Sequence, residues 1–255
     1  MLPVNVNATR LLDIGCGTGI VTHLMAEAFL QASCIGLDLS ETPGLRYRPA
    51  NVRFFQGNAA TQGPTEWMAN DDGSPLPQDD HLFDYVFSRL LILGMSDWPN
   101  FIKKVFLLLK PGGWAEIHDL AWDWYDLDGS VVSDQWSWSR VVRGDFEDRK
   151  GMDLACGKKA KMWMQKAGFV DVQVYRYTYP FCGSSESTTE MREFGRFNAA
   201  AIPAVLETSI PRAMGILETK ADEAMREEML QTLQPGKQRY QILYVTVGRK
   251  PDHAT

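Results

Sequence analysis

An α/β fold built on a mostly parallel sheet, with helices on both faces, is what this sequence predicts, and three observations predict it. From residue 10 to residue 120 short apolar runs alternate with helical stretches and turn residues, the pattern of strand, crossover helix and parallel strand. The first run ends in a glycine-rich turn, Gly15-Cys16-Gly17-Thr18-Gly19, that leads straight into a helical stretch. With 255 residues, 45% of them hydrophobic and 23% charged, the chain can bury a sizeable core.

Strands are expected at 10–14, 34–38, 52–56, 83–88 and 114–119, each an apolar run bounded by Gly, Pro, Asp or Asn. Helices are expected at about 20–30 and 98–109. The second is expected to stop at Lys110-Pro111-Gly112-Gly113, where proline cannot continue a helix and the glycines allow a tight return. Residues 71–80, DDGSPLPQDD, read as a surface loop.

Past residue 120 the character changes. Trp122, Trp124, Tyr125, Trp136 and Trp138 crowd a stretch otherwise rich in Asp, Ser and Gly. Aromatic density without strand or helix period points to a cap or a loop lining a cavity, with a packed core as the other reading of these tryptophans. A helix at about 154–167, stopped by Gly168, a strand at about 170–179 and a final strand at about 240–249 complete the α/β pattern. The segment between the last two strands, 184–235, reads as mainly helical, and its charged part, 218–228, reads as a solvated face. With no internal repeat and no low-complexity tract, the expectation is one domain over 1–255, with 122–150 and 184–235 as added cover.

Composition excludes several function classes. The formal net charge is −6 and no long basic run occurs, so direct nucleic-acid binding through clustered Lys and Arg is not expected. Cys16, Cys34, Cys156 and Cys182 stand far apart, without a C-x-x-C pair or a histidine partner; they read as reduced thiols, and no metal site is expected. The first residues carry neither a basic start nor a signal-length apolar stretch, and no run is long enough to span a bilayer. The expected location is cytoplasmic, or nuclear for a regulatory role, and the sequon at Asn7-Ala8-Thr9 reads as incidental.

The glycine turn carries the functional reading. Glycine lets a ligand approach the backbone closely, and the helix that follows points free N–H groups into the crevice at the carboxyl edge of the sheet. Dinucleotide turns follow G-x-G-x-x-G, whereas here the third glycine comes one residue earlier and Ile20 follows it. Asp13, two residues before the first glycine, would repel a pyrophosphate but suits a cationic ligand carrying an ammonium and a sulfonium. That charge logic favours S-adenosylmethionine (SAM) over NAD. Asp38, ending the second strand, can accept both ribose hydroxyls, with Leu39 flanking the adenine. Asn58, after the third strand, offers one donor and one acceptor to an adenine edge, or serves as a turn residue.

The motif DIGCGTG at 13–19 and IGLDLS at 35–40 resemble class I SAM-dependent methyltransferases. The stretches FDYVFSR at 83–89, SDWP at 96–99, LKPGGW at 109–114 and YVTVGRKP at 244–251 resemble the fungal LaeA-like, secondary-metabolism branch of that class. The resemblance implies a Rossmann-like sheet of seven strands, mostly parallel, with an antiparallel C-terminal pair. It implies that Asp13, Gly15, Cys16, Gly17 and Gly19 hold the methionine end of SAM, that Asp38 takes the ribose, that Asn58 and Ala59 meet the adenine, and that Ser88 and Arg89 stand beside the reacting centre. The sequence departs from the branch at Phe87, where His is usual, at Asn58, where an acid is usual, and at the front, where helices usually precede the first strand. The expected cover is the aromatic segment with the insertion, or a second copy or partner chain on the open N-terminal side; otherwise the site is open.

Methyl transfer asks the protein mainly for geometry, plus a base for a hydroxyl nucleophile. His118 and Asp119, ending the fifth strand, are the catalytic candidates together with Arg89, and Trp122, Trp124, Tyr125 and Trp136 are the substrate-binding candidates. The expected function is O- or N-methylation of an aromatic or polyketide-type small molecule. Competing readings are a methyltransferase-fold cyclase or pericyclase, a LaeA-like regulatory subunit and an NAD-dependent reductase.

Overall fold

The computed structural model describes residues 8–44, 48–68, 82–181, 188–214 and 220–252. The loop expected at 71–80, Asn7 of the sequon and Cys182 lie outside them. Seven strands form one sheet: β1 (Arg10–Ile14), β2 (Ser33–Asp38), β3 (Val52–Gln56), β4 (Phe83–Arg89), β5 (Leu109–Leu120), β6 (Val170–Pro180) and β7 (Tyr240–Arg249). Their order is β3-β2-β1-β4-β5-β7-β6. From β3 to β5 the pairs are parallel, with Asp13 beside Gly36 and Phe87, Ile14 beside Ser88, and Arg89 beside His118. The order runs outward in opposite directions from β1 and β4, so the crevice beyond the carboxyl ends of these two strands is the topological switch point where open α/β sheets bind ligands. The Rossmann-like arrangement, with an antiparallel C-terminal strand pair and helices on both faces, is therefore the fold.

The chain divides into two compact units. Unit 1 comprises Met1–Asp119, Gly157–Tyr175 and Val245–Thr255, and unit 2 comprises Leu120–Cys156 and Arg176–Tyr244. Both segments that the sequence sets apart as cover, 122–150 and 184–235, fall within unit 2. In unit 1, helix α1 (Ile20–Ala28) buries Thr22, Met25 and Ala26 against a core of Leu11, Cys34, Val52, Tyr85 and Phe87. After α2, a single turn at Pro64–Trp67, α3 (Trp98–Leu108) buries Trp98, Phe101, Ile102 and Val105 at helical spacing. Asp97 caps α3 by accepting the Asn100 N–H at 3.1 Å. Helix α5 (Cys156–Ala167) ends at Gly168, whose φ is 100°.

The largest boundary difference from expectation is at the start of β5. Residues Lys110-Pro111-Gly112-Gly113 belong to β5 rather than to a turn before it. The cause is non-local: the Gly112 N–H donates to the Lys250 carbonyl at 3.0 Å, and the Lys250 N–H donates to the Gly113 carbonyl at 2.8 Å. The antiparallel end of β7 draws the stretch into the sheet, while Gly112, at φ 77°, absorbs the irregularity.

In unit 2 the aromatic segment has regular structure and a packed set of rings. Residues 137–144 form a helix, α4 (Ser137–Gly144), and the tryptophans pack on one another. Trp136 and Trp138 stack at 5.7 Å between ring centroids, Trp122 and Trp124 both meet Trp138 edge-on, and Trp124 lies 4.2 Å from Phe181. Trp122, Trp124, Trp136 and Trp138 are all buried. The indole nitrogen of Trp122 donates to Ser139 Oγ at 3.0 Å, and that of Trp138 to Thr232 Oγ1 at 2.9 Å. The insertion is helical as expected, in α6 (Thr189–Met214) and α7 (Lys220–Thr232). Its charged run is more than a solvated face, because the Glu228 carboxylate accepts the Ser137 and Trp138 N–H groups at 2.8 and 3.2 Å and so caps α4.

Candidate cofactor site

The glycine turn takes its shape from two strands. Gly15, Gly17 and Gly19 have φ of 72°, 54° and 78°, a region that costs an L-residue with a Cβ about 1–2 kcal/mol. Gly15 and Cys16 both donate N–H bonds to the Leu37 carbonyl, at 2.7 and 3.2 Å. The Gly17 N–H donates to Asp38 Oδ2 at 2.9 Å, while Asp38 Oδ1 accepts from the Ser40 N–H at 3.0 Å. The end of β2 thus clips the turn, and Asp38 is fixed at its lip. Among the described residues a Cβ added to Gly17 would meet nothing within 4 Å, so the backbone is bare on that side.

Asp13 sits beneath the turn, 2% exposed, and accepts a 2.7 Å hydrogen bond from the Thr22 hydroxyl. Burial pushes its carboxyl up to about 6, against the pull of the Thr22 hydroxyl and the Arg89 charge. Near pH 7 the crevice floor therefore carries a buried negative charge. Cys16 is not a nucleophile here, since burial raises its thiol to about 11. Ser88, at the end of β4, is buried, and among the described residues its hydroxyl has no hydrogen-bond partner.

His118 and Asp119 point to opposite faces of β5, as strand alternation demands. His118 Nε2 pairs with Glu116 Oε1, and Glu116 Oε2 accepts the Tyr85 hydroxyl at 2.8 Å. Burial pushes the Glu116 carboxyl up, but His118 and Tyr85 more than reverse this and leave it below its ordinary value. The Phe87 ring lies edge-on to the His118 ring at 4.8 Å. Asp119 is almost fully buried and accepts the Leu91 N–H at 2.8 Å. Arg89, beside His118 in register, is exposed.

The fold brings Asp13, Gly15, Cys16, Gly17, Gly19, Asp38, Leu39, Ser88, Arg89, His118 and Asp119 together in unit 1. Leu39 is largely exposed. Asn58 stands in a turn: its Oδ1 accepts the Ala60 N–H at 2.9 Å, and its carbonyl accepts from Thr61 and Gln62. Trp122, Trp124, Tyr125 and Trp136 belong to unit 2, where the three indoles each meet Trp138 and Tyr125 stacks on Tyr240 at 5.4 Å. Sequence reasoning missed Glu116, Tyr85, Thr22 and Leu91. Period-two alternation in Trp114-Ala115-Glu116-Ile117-His118 was a signal for Glu116, since it sets Glu116 and His118 on one face.

A protein-family model described as a methyltransferase domain matches residues 1–174, a span that takes in the glycine turn, β1 to β5, the unit 2 segment 120–156 and the start of β6. The chain belongs to the methyltransferase domain family. Among curated proteins, this methyltransferase-domain chain is 27% identical over 244 residues to the methyltransferase pytC of Aspergillus terreus, covering 90% of the chain and 70% of that protein. It is 29% identical over 254 residues to the secondary metabolism regulator LAE1 of Pyricularia oryzae, covering 94% of the chain and 73% of that protein. Among solved structures, the [4+2]-cyclase SpnF superposes with a TM-score of 0.50 at 18% identity, over 96% of the chain and 75% of that structure; this likeness is one of fold. The cofactor of the methyltransferase domain is SAM, and the bare side of Gly17, the Asp38 carboxylate at its N–H and the buried charge of Asp13 fit it. Among the described residues no group of three or more His, Cys, Asp and Glu could hold a metal ion, and no helix is long and apolar enough to cross a membrane.

Proposed function

We propose that the chain is a SAM-dependent methyltransferase of the fungal LaeA-like, secondary-metabolism branch, acting on an oxygen or nitrogen of an aromatic or polyketide-type small molecule. The observation that carries the reading is the turn over 15–19: three glycines of positive φ, clipped to Asp38, above an ionisable carboxylate that is buried at Asp13. In this reading Asp38 accepts the ribose hydroxyls, Asp13 offsets the charge of the methionine ammonium, the backbone at Gly15 to Gly19 lines the methionine end, and Leu39, Asn58 and Ala59 flank the adenine. Bound there, SAM supplies an electrophilic methyl group on a sulfonium sulfur. His118, held by Glu116, accepts the proton that a hydroxyl acceptor gives up, and Arg89 and Ser88 orient the acceptor. Incubation with methyl-labelled SAM and a panel of aromatic and polyketide acceptors tests this, with label transferred to at least one acceptor class as the expected result. No transfer by a chain that binds SAM would favour the second reading, a regulatory subunit, which the name of the LAE1 relative supports.

The site has a pH signature whose sign follows from Asp13. Its folded-state value of about 6 stands above the ordinary 3.8, so the folded protein binds a proton that the unfolded chain does not between these values. The Asp13 contribution to stability is therefore full below about 3.8 and lost as pH rises through about 6. A cationic ligand needs the ionised form, so SAM affinity runs the other way and weakens as pH falls through about 6. Replacing Thr22 by valine removes a hydrogen bond that lowers this carboxyl and moves the midpoint of the affinity profile upward. Calorimetric titrations from pH 5 to 8, within roughly one unit of the Asp13 value on the acid side, read both effects. A flat profile in both proteins contradicts the assignment of Asp13.

A further inference from the structure

Where β4 ends, the chain must turn over the mouth of the crevice, and it does so through a backbone conformation that leucine rarely takes. Leu90 has φ 56°. Two hydrogen bonds from β5 hold the turn there: the Leu90 N–H donates to the His118 carbonyl at 2.9 Å, and the Leu91 N–H donates to Asp119 Oδ2 at 2.8 Å. Asp119 is 1% exposed, and a buried carboxylate is retained only where hydrogen bonds compensate its lost hydration. A bond from an N–H to a carboxylate is about twice as strong as one between neutral groups. The Leu91 carbonyl in turn accepts the Gly94 and Met95 N–H groups, at 2.8 and 3.0 Å, so the whole start of the loop hangs on this residue.

The consequence reaches the glycine turn. Leu91 Cδ2 lies 2.4 Å from the place a Cβ on Gly15 would occupy, and Cγ lies 3.5 Å from it, so the leucine side chain fills the notch that Gly15 leaves. We propose that Asp119 is a positioning residue of the cofactor seat rather than a catalytic one: by holding the Leu91 N–H it seats the Leu91 side chain against Gly15 and fixes the wall of the crevice. This rests on the reading of the glycine turn as the SAM seat. It assigns to Asp119 a role separate from that of His118, its neighbour on the other face of β5.

The test is calorimetry with SAM on four proteins, with thermal melts in parallel. The unaltered chain is the control for the seat itself: if it is folded and does not bind SAM, the seat reading fails, whatever Asp119 does. Given binding, Asp119→Asn, whose amide oxygen still accepts the Leu91 N–H, is expected to stay within about threefold of the control. Asp119→Ala is expected to lose roughly tenfold or more, the scale of a hydrogen bond to a charged group. Leu91→Ala keeps the latch but empties the notch at Gly15, and is expected to lose about fivefold by the same arithmetic. A folded Asp119→Ala protein that binds SAM as tightly as the control overturns the proposal, as does an Asn variant that loses as much as the Ala variant. Should Asp119→Ala fail to fold, unchanged affinity in Leu91→Ala overturns it instead.

Discussion

Replacing Gly17 by alanine is expected to leave the protein folded and to cost it the cofactor. Among the described residues the new methyl group meets no atom within 4 Å, and φ at this position is 54°, so the fold bears mainly the left-handed penalty of about 1–2 kcal/mol. For a chain of this size that lowers Tm by roughly 2–8 °C. The same methyl group projects from the backbone that the cofactor must approach, and a loss of roughly 100-fold in SAM affinity, about 2.7 kcal/mol, is the expected result. Gly36 is the control of opposite kind. A Cβ there would stand 2.5 Å from Phe54 Cδ1 and 2.9 Å from Thr22 Oγ1, so Gly36→Ala strains the packing of α1 on the sheet and appears first as lost stability. Melts and calorimetry on the two variants separate the effects; a Gly17→Ala protein that binds SAM like the parent removes the turn from the site.

The second large effect lies in unit 2. Trp124→Ala is expected to destabilise the protein by about 3–5 kcal/mol, the usual cost of deleting a fully buried large aromatic side chain. Trp124 is 1% exposed and packs on Phe181, Trp136 and Trp138, so the deletion opens a cavity that these rings cannot all close. Trp124→Phe is expected to cost far less, because the indole nitrogen of Trp124 has no hydrogen-bond partner among the described residues and its removal relieves a buried unsatisfied donor. Denaturant unfolding of both variants decides the matter. If instead Trp124→Ala leaves stability unchanged and raises the KM for a methyl acceptor, the indole is a substrate contact and its assignment to the core is wrong.

What could be read in the sequence was what local chemistry determines. The strands of unit 1 and the turn at 15–19 are written in residues that act within a few positions of each other, an apolar run, an acid, then glycines with the backbone freedom the turn uses. Asp13 could be read as a charge beside the turn, but its hydrogen bond to Thr22 could not, because that contact exists only once α1 packs back over β1. The early start of β5 was hidden for a similar reason: Pro111 and Gly112 are turn residues by local rule, and only pairing with Lys250 draws them into a strand. The tryptophans of unit 2 mark an aromatic cluster in the sequence, yet whether such a cluster lines a cavity or fills a core depends on which rings face which. Asn58 shows two readings of one residue type, and the structure uses its carboxamide in a turn. The Asp119 to Leu91 bond joins a side chain to a backbone N–H across two elements, and no spacing rule encodes it.

The central claim is that the turn over 15–19, with the Asp13 charge beneath it, is a seat for a cationic SAM and not for an anionic dinucleotide. Titrating the full chain with SAM and, separately, with NADH tests it most directly. Saturable heat for SAM at one site per chain, abolished in Asp38→Ala, and no binding of NADH are the expected results. Binding of NADH, or a folded chain that takes up no SAM, would contradict it.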